Sequence, residues 1–395
     1  MGLIQRAMAF FLGFMLAACS TLPAPEARIE QSPGYAADKS KDLFVFLDGT
    51  ANGPQSGTNV WRLKEAVTQS SEPALSAYIA GVGTAYTVVL GSAAGVGMET
   101  RILQGYEFLA RNYMPGDRIF IIGFSRGAHQ ARSLAGLLAY SGLPERAVAD
   151  QKGFMKIANR IIERTKQEAD SGHEDAWRSG RYAGRPPLAE ALHETVGVRM
   201  RYVEIEFLGL WDTVPGSWFK DYETCREAKD SRPGERYKTG SYPNIKKIAH
   251  AVSLDEKRTK FSPILACPAI IQDHPVIQEV WFPGAHADVG GGYEDSNDLA
   301  GISLKWMAQM LAESFPLDET KLQRLPADPL GLSHWSMGDK PANIGSQCAD
   351  RITPPEAVLH ESVGQRRAAI ALPVRIHAER QLKPYPLQCK DMLAP

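Results

Sequence analysis

The sequence predicts an α/β fold in which a mostly parallel central sheet carries helices on both faces, with inserted lid segments. The first reason is a set of continuous apolar runs, the pattern of strands buried on both faces of a sheet. The second is that apolar residues recur at helical spacing between these runs. The third is a strand, a tight turn and a helix in direct succession around Ser125. The continuous apolar runs are Leu43–Leu47 and Ile119–Ile122, and the further predicted strands Tyr202–Leu210 and Ile277–Phe282 contain glutamates among their apolar residues.

The N-terminal residues predict export. An apolar, uncharged run follows Arg6, and Leu16-Ala17-Ala18-Cys19 then resembles the bacterial lipobox, whose cysteine is lipidated. We therefore predict a signal peptide over residues 1–18, lipidation at Cys19 and a flexible tether over residues 19–41. The residue after the cysteine is Ser20 rather than Asp, which favours a lipid anchor in the outer membrane, facing the periplasm. The alternative is an ordinary signal peptide that is cut nearby.

The first strand, Leu43–Leu47, ends in Asp48-Gly49-Thr50. Ligands of open α/β sheets bind beyond the carboxyl ends of the strands, so we expect this loop to lie beside Ser125. A backbone N–H of Gly49 or Thr50 is then a candidate oxyanion donor. Asp48 either supports this loop or belongs to an ordinary Asp-Gly turn.

The segment around Ser125 has the G-x-S-x-G pattern, with Gly123 and Gly127 two positions either side of the serine. On a strand-to-helix turn this pattern gives a sharp bend that exposes the serine, and only glycine allows strand and helix to pass so closely. Ser125 is therefore the candidate nucleophile, and the Arg126 N–H at the helix start is a candidate oxyanion donor. The competing interpretation is a simple turn in which Ser125 caps the helix.

The other elements follow from the same periodicities. We predict a strand over Ala77–Ala80 and helices over Thr58–Val67, Met98–Tyr113, Lys152–Glu168, His250–Phe261 and Leu299–Phe315. Residues from about 147 to 195 are charged and broken by Gly and Pro, which indicates an insertion over the sheet edge. Residues from about 316 to 395 are Pro-rich and predict an irregular segment that wraps around a single catalytic domain over residues 42–395.

Two residues beyond later strands complete a candidate triad. Asp212 directly follows the run ending at Leu210-Trp211, where it is placed to orient a histidine. His286 lies beyond the last long strand on a glycine-rich loop, and gives the order Ser, Asp, His along the chain. His129 is a competing base, but it sits on the same helix as Ser125 and points along it. Asp288 either holds the His286 loop or binds an ion.

Charge and cysteine content exclude several other classes. The formal net charge is −1, which offers no strong field for a nucleic-acid partner. No C-x-x-C pair is present, and the glycine-rich run at residues 91–97 lacks the Gly-Lys-Ser/Thr ending of a phosphate-binding loop, so we predict neither a metal nor a cofactor. Besides Cys19 the chain has four cysteines, an even number that permits two disulfides in three pairings: Cys225, Cys267, Cys348 and Cys389.

Taken together, these motifs resemble one α/β-hydrolase family, whose described members include type VI secretion phospholipase effectors with a G-x-S-x-G nucleophile. The resemblance runs from Lys41 to about Leu387 and is specific because the motifs recur in order. They are Phe46–Thr50, Gly81–Thr84, Gly123–Ala128, Leu210–Val214, Trp281–Tyr293, Leu359–Val363 and Tyr385–Leu387.

The resemblance implies a Ser125–Asp212–His286 hydrolase with phospholipase or carboxylesterase activity on lipid or lipid-like esters. With the lipobox, it leads us to expect a resident enzyme of the bacterial envelope rather than a secreted effector. Its expected contacts are an ester substrate and the membrane that holds its lipid anchor, and the sequence identifies no protein partner. The alternatives are a small-substrate esterase or thioesterase, or a non-catalytic lipoprotein that binds acyl chains or a protein.

Overall fold

The computed structural model describes residues 25–83, 97–146, 150–168, 170–215, 237–318, 320, 322, 324–338 and 346–392. The predicted signal peptide, Cys19, the start of the tether, most of the glycine-rich run and Cys225 lie outside these residues. Within them, no helix is both long enough and apolar enough to cross a bilayer.

An eight-stranded sheet forms the centre of the molecule, in the order β1-β3-β2-β4-β7-β8-β9-β11. Only β1 runs antiparallel to its neighbour, and the other pairs are parallel. The strands are β1 Arg28–Gln31, β2 Asp42–Leu47, β3 Ala74–Ile79, β4 Arg118–Phe124, β7 Ile205–Trp211, β8 Ile245–Ser253, β9 Val276–Phe282 and β11 Val358–Leu359. Two smaller sheets contain β5 Leu143–Pro144 with β6 Met200–Arg201, and β10 Ser333–His334 with β12 Leu372–Ile376 and β13 Glu379–Lys383.

Helices cover both faces of the large sheet. The helices are α1 Asn59–Thr68, α2 Met98–Asn112, α3 Arg126–Ser141, α4 Gln151–Gln167, α5 Asp170–Arg178, α6 Ala189–Val196, α7 His286–Gly290, α8 Asp298–Ala312 and α9 Glu361–Ala368. Alternate residues of β2 point to opposite faces: Leu43 and Val45 pack with α2 and α3, whereas Phe44 and Phe46 pack with α1 and α8. This layered parallel sheet is the predicted α/β-hydrolase-like architecture.

Two differences from the prediction lie in the large sheet. Arg28–Gln31, within the predicted tether, pairs antiparallel with β3 as an edge strand; its mostly exposed polar residues give no apolar pattern. The predicted helix His250–Phe261 is instead the end of β8, followed by a 3-10 turn at Thr259–Phe261. The prediction failed because the strand ends in polar residues, His250 and Ser253, which are fully buried with hydrogen-bond partners and so give no continuous apolar run.

The insertion at residues 147–195 is mainly helical where it is described. Phe154, Ile161 and Ile162 of α4 are buried in the same core cluster as residues of α2 and α3. The short β5–β6 pair joins the chain just before this insertion to the chain just after it. Helix α4 is therefore part of the core on one face of the sheet.

The C-terminal segment is more regular than predicted. It forms the small β10-β12-β13 sheet and adds β11 to the edge of the large sheet beside β9. These strands have two to five residues, too short to be recognised from an apolar run. A disulfide joins Cys348 to Cys389 across this segment, one of the pairings that the sequence left open.

Candidate active site

Ser125 occupies a strained turn between β4 and α3. Its φ of 60° is positive, a conformation that residues with a side chain rarely adopt. A Cβ on Gly127 would lie 2.1 Å from the Leu47 carbonyl oxygen, and one on Gly123 would lie 2.5 Å from the Gly127 oxygen. Both glycines are required because backbone atoms occupy the space of any side chain. The turn thus has the geometry that the G-x-S-x-G pattern predicts.

Three side chains meet at the carboxyl ends of β4, β7 and β9. Ser125 Oγ lies 2.8 Å from His286 Nε2, and His286 Nδ1 lies 2.5 Å from Asp212 Oδ2. A carboxylate only accepts hydrogen bonds, so Nδ1 carries the hydrogen and Nε2 of the neutral ring accepts from the serine hydroxyl. This is the arrangement in which a histidine can remove the proton of a serine.

Asp212 is completely buried and has four hydrogen-bond donors around its carboxylate. Besides His286, the Ser253 N–H donates to Oδ1 at 2.9 Å, and Arg351 donates to both oxygens at 2.6 and 3.0 Å. Burial alone would raise the pKa of Asp212, but the Arg351 charge and the His286 hydrogen bond outweigh it and hold that pKa well below its usual range. The acid is therefore ionised at neutral pH.

His286 is suited to act as a base. Burial lowers the pKa of its imidazole below the usual value, although the hydrogen bond to Asp212 opposes this shift. The ring is consequently neutral at pH 7 and can accept a proton. Its face lies 4.7 Å from the Phe124 ring, measured between ring centroids. His286, rather than the competing His129, contacts the Ser125 hydroxyl.

The loop after β2 lies against the serine, as expected. A Cβ on Gly49 would be 3.1 Å from the Ser125 Cβ, which shows how closely the loop approaches. The Gly49 N–H, however, donates to Asp48 Oδ1 at 2.7 Å. Of the two predicted loop donors, this leaves the Thr50 N–H, which makes no hydrogen bond to any described residue. On the helix side, the Arg126 N–H belongs to the first turn of α3, where N–H groups have no acceptor within the helix.

Asp48 supports this loop through a buried network. Its carboxylate accepts from Tyr78 Oη at 2.6 Å and from Thr58 Oγ1 at 2.7 Å, as well as from Gly49. Burial raises its pKa to about 6. Thr58 in turn caps helix α1 through its side chain. The carboxylate therefore joins the ends of β2 and β3 to the start of α1, which is more than an isolated Asp-Gly turn requires.

Asp288 holds the histidine loop by hydrogen bonds, one of the two predicted options. Its Oδ2 accepts from the Ala285 N–H at 2.9 Å, immediately before His286. The same carboxylate binds the His334 backbone N–H and, at 2.6 Å, His334 Nδ1. In the described ranges, no group of three or more His, Cys, Asp or Glu side chains is placed to hold a metal ion.

Two sets of supporting residues escaped the sequence analysis. His250 accepts from the Thr213 N–H, next to Asp212, and its other ring nitrogen lies 2.8 Å from Glu279. Arg351 reaches Asp212 from 139 positions further along the chain. His250 could have been suspected as a lone polar residue within an apolar stretch. Arg351 gave no signal, because a single arginine in a Pro-rich segment is ordinarily a surface residue.

Comparison with known proteins identifies a family for the part of the chain that holds these residues. Residues 41–310 match the family described as the catalytic domain of Tle1-like phospholipase effectors of the type VI secretion system. An uncharacterised protein of Saccharomyces cerevisiae is 28% identical over 258 residues, which are 60% of this chain and 34% of the yeast protein. The chain thus spans about a third of that relative's length.

Solved structures show more distant similarity. An uncharacterised protein from Pseudomonas aeruginosa has a TM-score of 0.42 at 18% identity, covering 74% of this chain and 50% of the other. The Tle1 effector bound to the VgrG spike has a TM-score of 0.32 at 21% identity, covering 65% and 51%. Thermogutta terrifontis esterase 2 has a TM-score of 0.40 at 10% identity, covering 74% and 90%.

The matched region contains Ser125, Asp212 and His286 and ends before the C-terminal segment that carries Arg351. The match confirms the predicted resemblance to this family. The chain belongs to the Tle1-like family of phospholipase effector catalytic domains.

Proposed function

We propose that this protein hydrolyses the carboxylic esters of lipids, with phospholipids as the favoured substrates, through Ser125, His286 and Asp212. The observation that carries the proposal is the unbroken hydrogen-bond chain from Ser125 Oγ through His286 to Asp212, with distances of 2.8 and 2.5 Å. A serine that only capped a helix would need neither a neutral buried histidine nor an ionised acid behind it.

In the proposed reaction, His286 Nε2 takes the Ser125 proton while Oγ attacks the ester carbonyl carbon. The resulting oxyanion accepts hydrogen bonds from the Arg126 and Thr50 N–H groups. His286 then gives its proton to the departing alkoxide, which leaves an acyl group on Ser125. A water molecule, deprotonated by His286 in the same way, releases the carboxylic acid and restores the serine. Asp212 stabilises the imidazolium that forms in both steps.

The test compares the wild type with Ser125→Ala, His286→Ala and a matched control, Ser133→Ala. Ser133 lies on α3, the helix that follows Ser125, and among the described residues its hydroxyl donates to the His129 carbonyl oxygen alone. We expect the first two variants to lose activity by roughly 10⁴-fold or more and the control to keep it. Hydrolysis equal to wild type in Ser125→Ala would overturn the proposal.

Substrate class is decided by offering phospholipid vesicles and a soluble short-chain p-nitrophenyl ester in parallel. Faster turnover of the vesicles supports the lipid substrate, whereas turnover of the soluble ester alone favours a small-substrate esterase. If a fluorophosphonate fails to label Ser125 in folded protein, the binding lipoprotein is the better description.

We also propose that the chain is anchored by lipid on Cys19 in the outer membrane, where the active site meets membrane lipids. The support is the Leu-Ala-Ala-Cys sequence followed by Ser20. Mass spectrometry of the mature N-terminus should find a diacylglyceryl cysteine at Cys19, and Cys19→Ser should release the protein from the membrane fraction. An unlipidated N-terminus at another residue would contradict the anchor.

A further inference from the structure

The acid of the site has a second charged partner on the side away from His286. Arg351 Nη1 donates to Asp212 Oδ1 at 2.6 Å, and Nη2 donates to Oδ2 at 3.0 Å. This is the parallel two-bond geometry that only a guanidinium provides. The Arg351 side chain is 5% exposed and that of Asp212 is fully buried, so water screens the pair little.

The same guanidinium is fixed by two backbone carbonyls. Nη1 also donates to the Ser253 oxygen and Nη2 to the Phe261 oxygen, each at 2.5 Å. Ser253 ends β8, and its own N–H donates to Asp212 Oδ1. Four N–H groups of Arg351 are thus used, two on the carboxylate and two on the chain beside it. These bonds fix the plane of the Asp212 carboxylate, and its Oδ2 also lies within hydrogen-bond distance of His286.

The segment that carries Arg351 is itself attached at several points. The Gln347 N–H donates to Thr259 Oγ1, the Thr259 N–H donates to the Gln347 oxygen, and the Ala349 N–H donates to the Lys257 oxygen. Between these bonds, Cys348 forms the disulfide to Cys389, three residues before Arg351. The guanidinium therefore approaches Asp212 on a segment with little freedom to move.

We propose that Arg351 is a positioning residue for the reaction: it keeps Asp212 ionised and aimed at His286 Nδ1, without contacting the substrate. This inference rests on the triad proposed above. Two carboxylates face His286, since Glu256 Oε2 accepts from its backbone N–H at 3.2 Å. Glu256 has its own cation, Arg258, which binds it through two nitrogens. If Arg351 is removed, Asp212 becomes the one carboxylate of the two without a guanidinium.

The physical consequence is a loss that depends on pH. Burial favours the neutral form of Asp212, and the Arg351 charge is the largest effect opposing it. Without that charge, Asp212 takes up a proton at a higher pH, and a neutral acid cannot stabilise the His286 imidazolium. A residue that merely attached the C-terminal segment would lower activity, if at all, equally at every pH.

The experiment measures the rate of Ser125 labelling by a fluorophosphonate from about pH 5 to about pH 9. This probe reports the activated serine whatever the natural ester is. The variants are Arg351→Gln, Arg351→Lys and Asp212→Asn, with Arg367→Gln as matched control. Arg367 is an exposed arginine in the same C-terminal segment, and it is not among the hydrogen-bond partners of the triad. Circular dichroism verifies that each variant is folded.

We expect Arg351→Gln to lower the labelling rate roughly 10- to 100-fold at neutral pH, because a small misplacement of a reacting group has an effect of this size. We also expect the acid limb of the profile, the range in which the labelling rate falls as the pH is lowered, to move to higher pH. Arg351→Lys keeps the charge but not the two-bond fork, and should fall between Arg351→Gln and wild type. Arg367→Gln should match wild type.

Arg351→Gln could keep both the labelling rate and the acid limb of wild type while Asp212→Asn is inactive. This result would overturn the positioning role of Arg351 without contradicting the triad. If Arg351→Gln does not fold, Arg351→Lys tests the two-bond fork, and a wild-type rate there would overturn the claim that Arg351 aims Asp212 at His286. If the wild-type protein is not labelled at all, the proposed hydrolase fails rather than the role of Arg351.

Discussion

The sheet body and the C-terminal segment contribute to one site in different ways. In the body, residues 41–310, all three members of the proposed triad follow strands of seven residues, of which β4 and β7 are mostly buried and β9 is buried at its carboxyl end. In the C-terminal segment, the described residues from 316 to 392, the strands have two to five residues, and Ile352, Ile370 and Leu382 are 92, 96 and 72% exposed. The segment depends on a small core beside the Cys348–Cys389 disulfide, yet it supplies Arg351.

This difference indicates that the residues that react and the residue that stabilises the charge of the acid come from different parts of the chain. Reactive groups need fixed positions, which the ends of a buried parallel sheet provide. A charge that stabilises the acid can come from a segment with little core of its own, provided that covalent and hydrogen bonds hold it. The family match, which ends at residue 310, therefore contains the reactive groups but not the cation behind Asp212.

The largest expected effect on activity comes from a change in the triad itself rather than in the arginine that supports it. Asp212→Asn removes the charge while keeping the shape of the side chain, and should lower kcat by about 10⁴-fold because the imidazolium loses its partner. Ester hydrolysis measured beside thermal unfolding would check this. If Asp212→Asn lost less activity than Arg351→Gln, the reactive residues of the body would not matter more to catalysis than the supporting arginine of the C-terminal segment.

The next effect concerns the disulfide. Replacing Cys348 and Cys389 with serine opens a loop with a sequence separation of 41 and should cost about 4 kcal/mol in the stability of the C-terminal segment. Hydrogen exchange should show β12 and β13 losing protection, while β2 and β4 keep theirs. Equal loss in both regions would mean that the segment and the body unfold as one unit.

Two glycine substitutions compare the regions through packing alone. Gly127→Ala, at the turn, forces a methyl group to within 2.1 Å of the Leu47 oxygen and should destabilise the fold by about 3 kcal/mol. Gly364→Ala, in α9 of the C-terminal segment, meets no atom within 4 Å and should stabilise its helix by about 1 kcal/mol. Urea unfolding measures both; a neutral Gly127→Ala would contradict the close passage of strand and helix.

The smallest effect is a difference in titration between two buried histidines. His286, in the body, has its pKa lowered by burial, so kcat/KM should rise with pH through a midpoint below about 6.5 and then level off. For His334, in the C-terminal part, burial opposes the charge but Asp288 and Asp295 outweigh it and raise the pKa. His334 therefore stabilises the fold below about pH 6.5, and this contribution disappears as the pH rises through its raised pKa.

Histidine NMR titration of the wild type, with His334→Gln used for assignment, should place His286 below His334. The reverse order would show that Asp212 influences its histidine more strongly than burial does.

Much of the body was predictable because its strands are buried on both faces and must therefore be apolar. The strand before Ser125, the two glycines of its turn and the positions of Asp212 and His286 all follow from that constraint. The end of strand β8 was predicted as the start of a helix, His250–Phe261, because His250 and Ser253 are polar, although each has a specific buried partner. Gly49 was predicted as a possible oxyanion donor, but its N–H is used by Asp48, a bond that only the folded loop reveals.

By itself, the sequence determined the sheet, the strained turn and the order of the three reactive residues, because local periodicity and glycine positions decide them. Only the tertiary structure decided that His286 rather than His129 meets Ser125, that Thr50 is the loop donor left open, and that Arg351 lies behind Asp212. These contacts join residues 74 to 161 positions apart, and no local pattern constrains such pairs. They arise where the packing of one segment against another removes a charge from water and requires a partner for it.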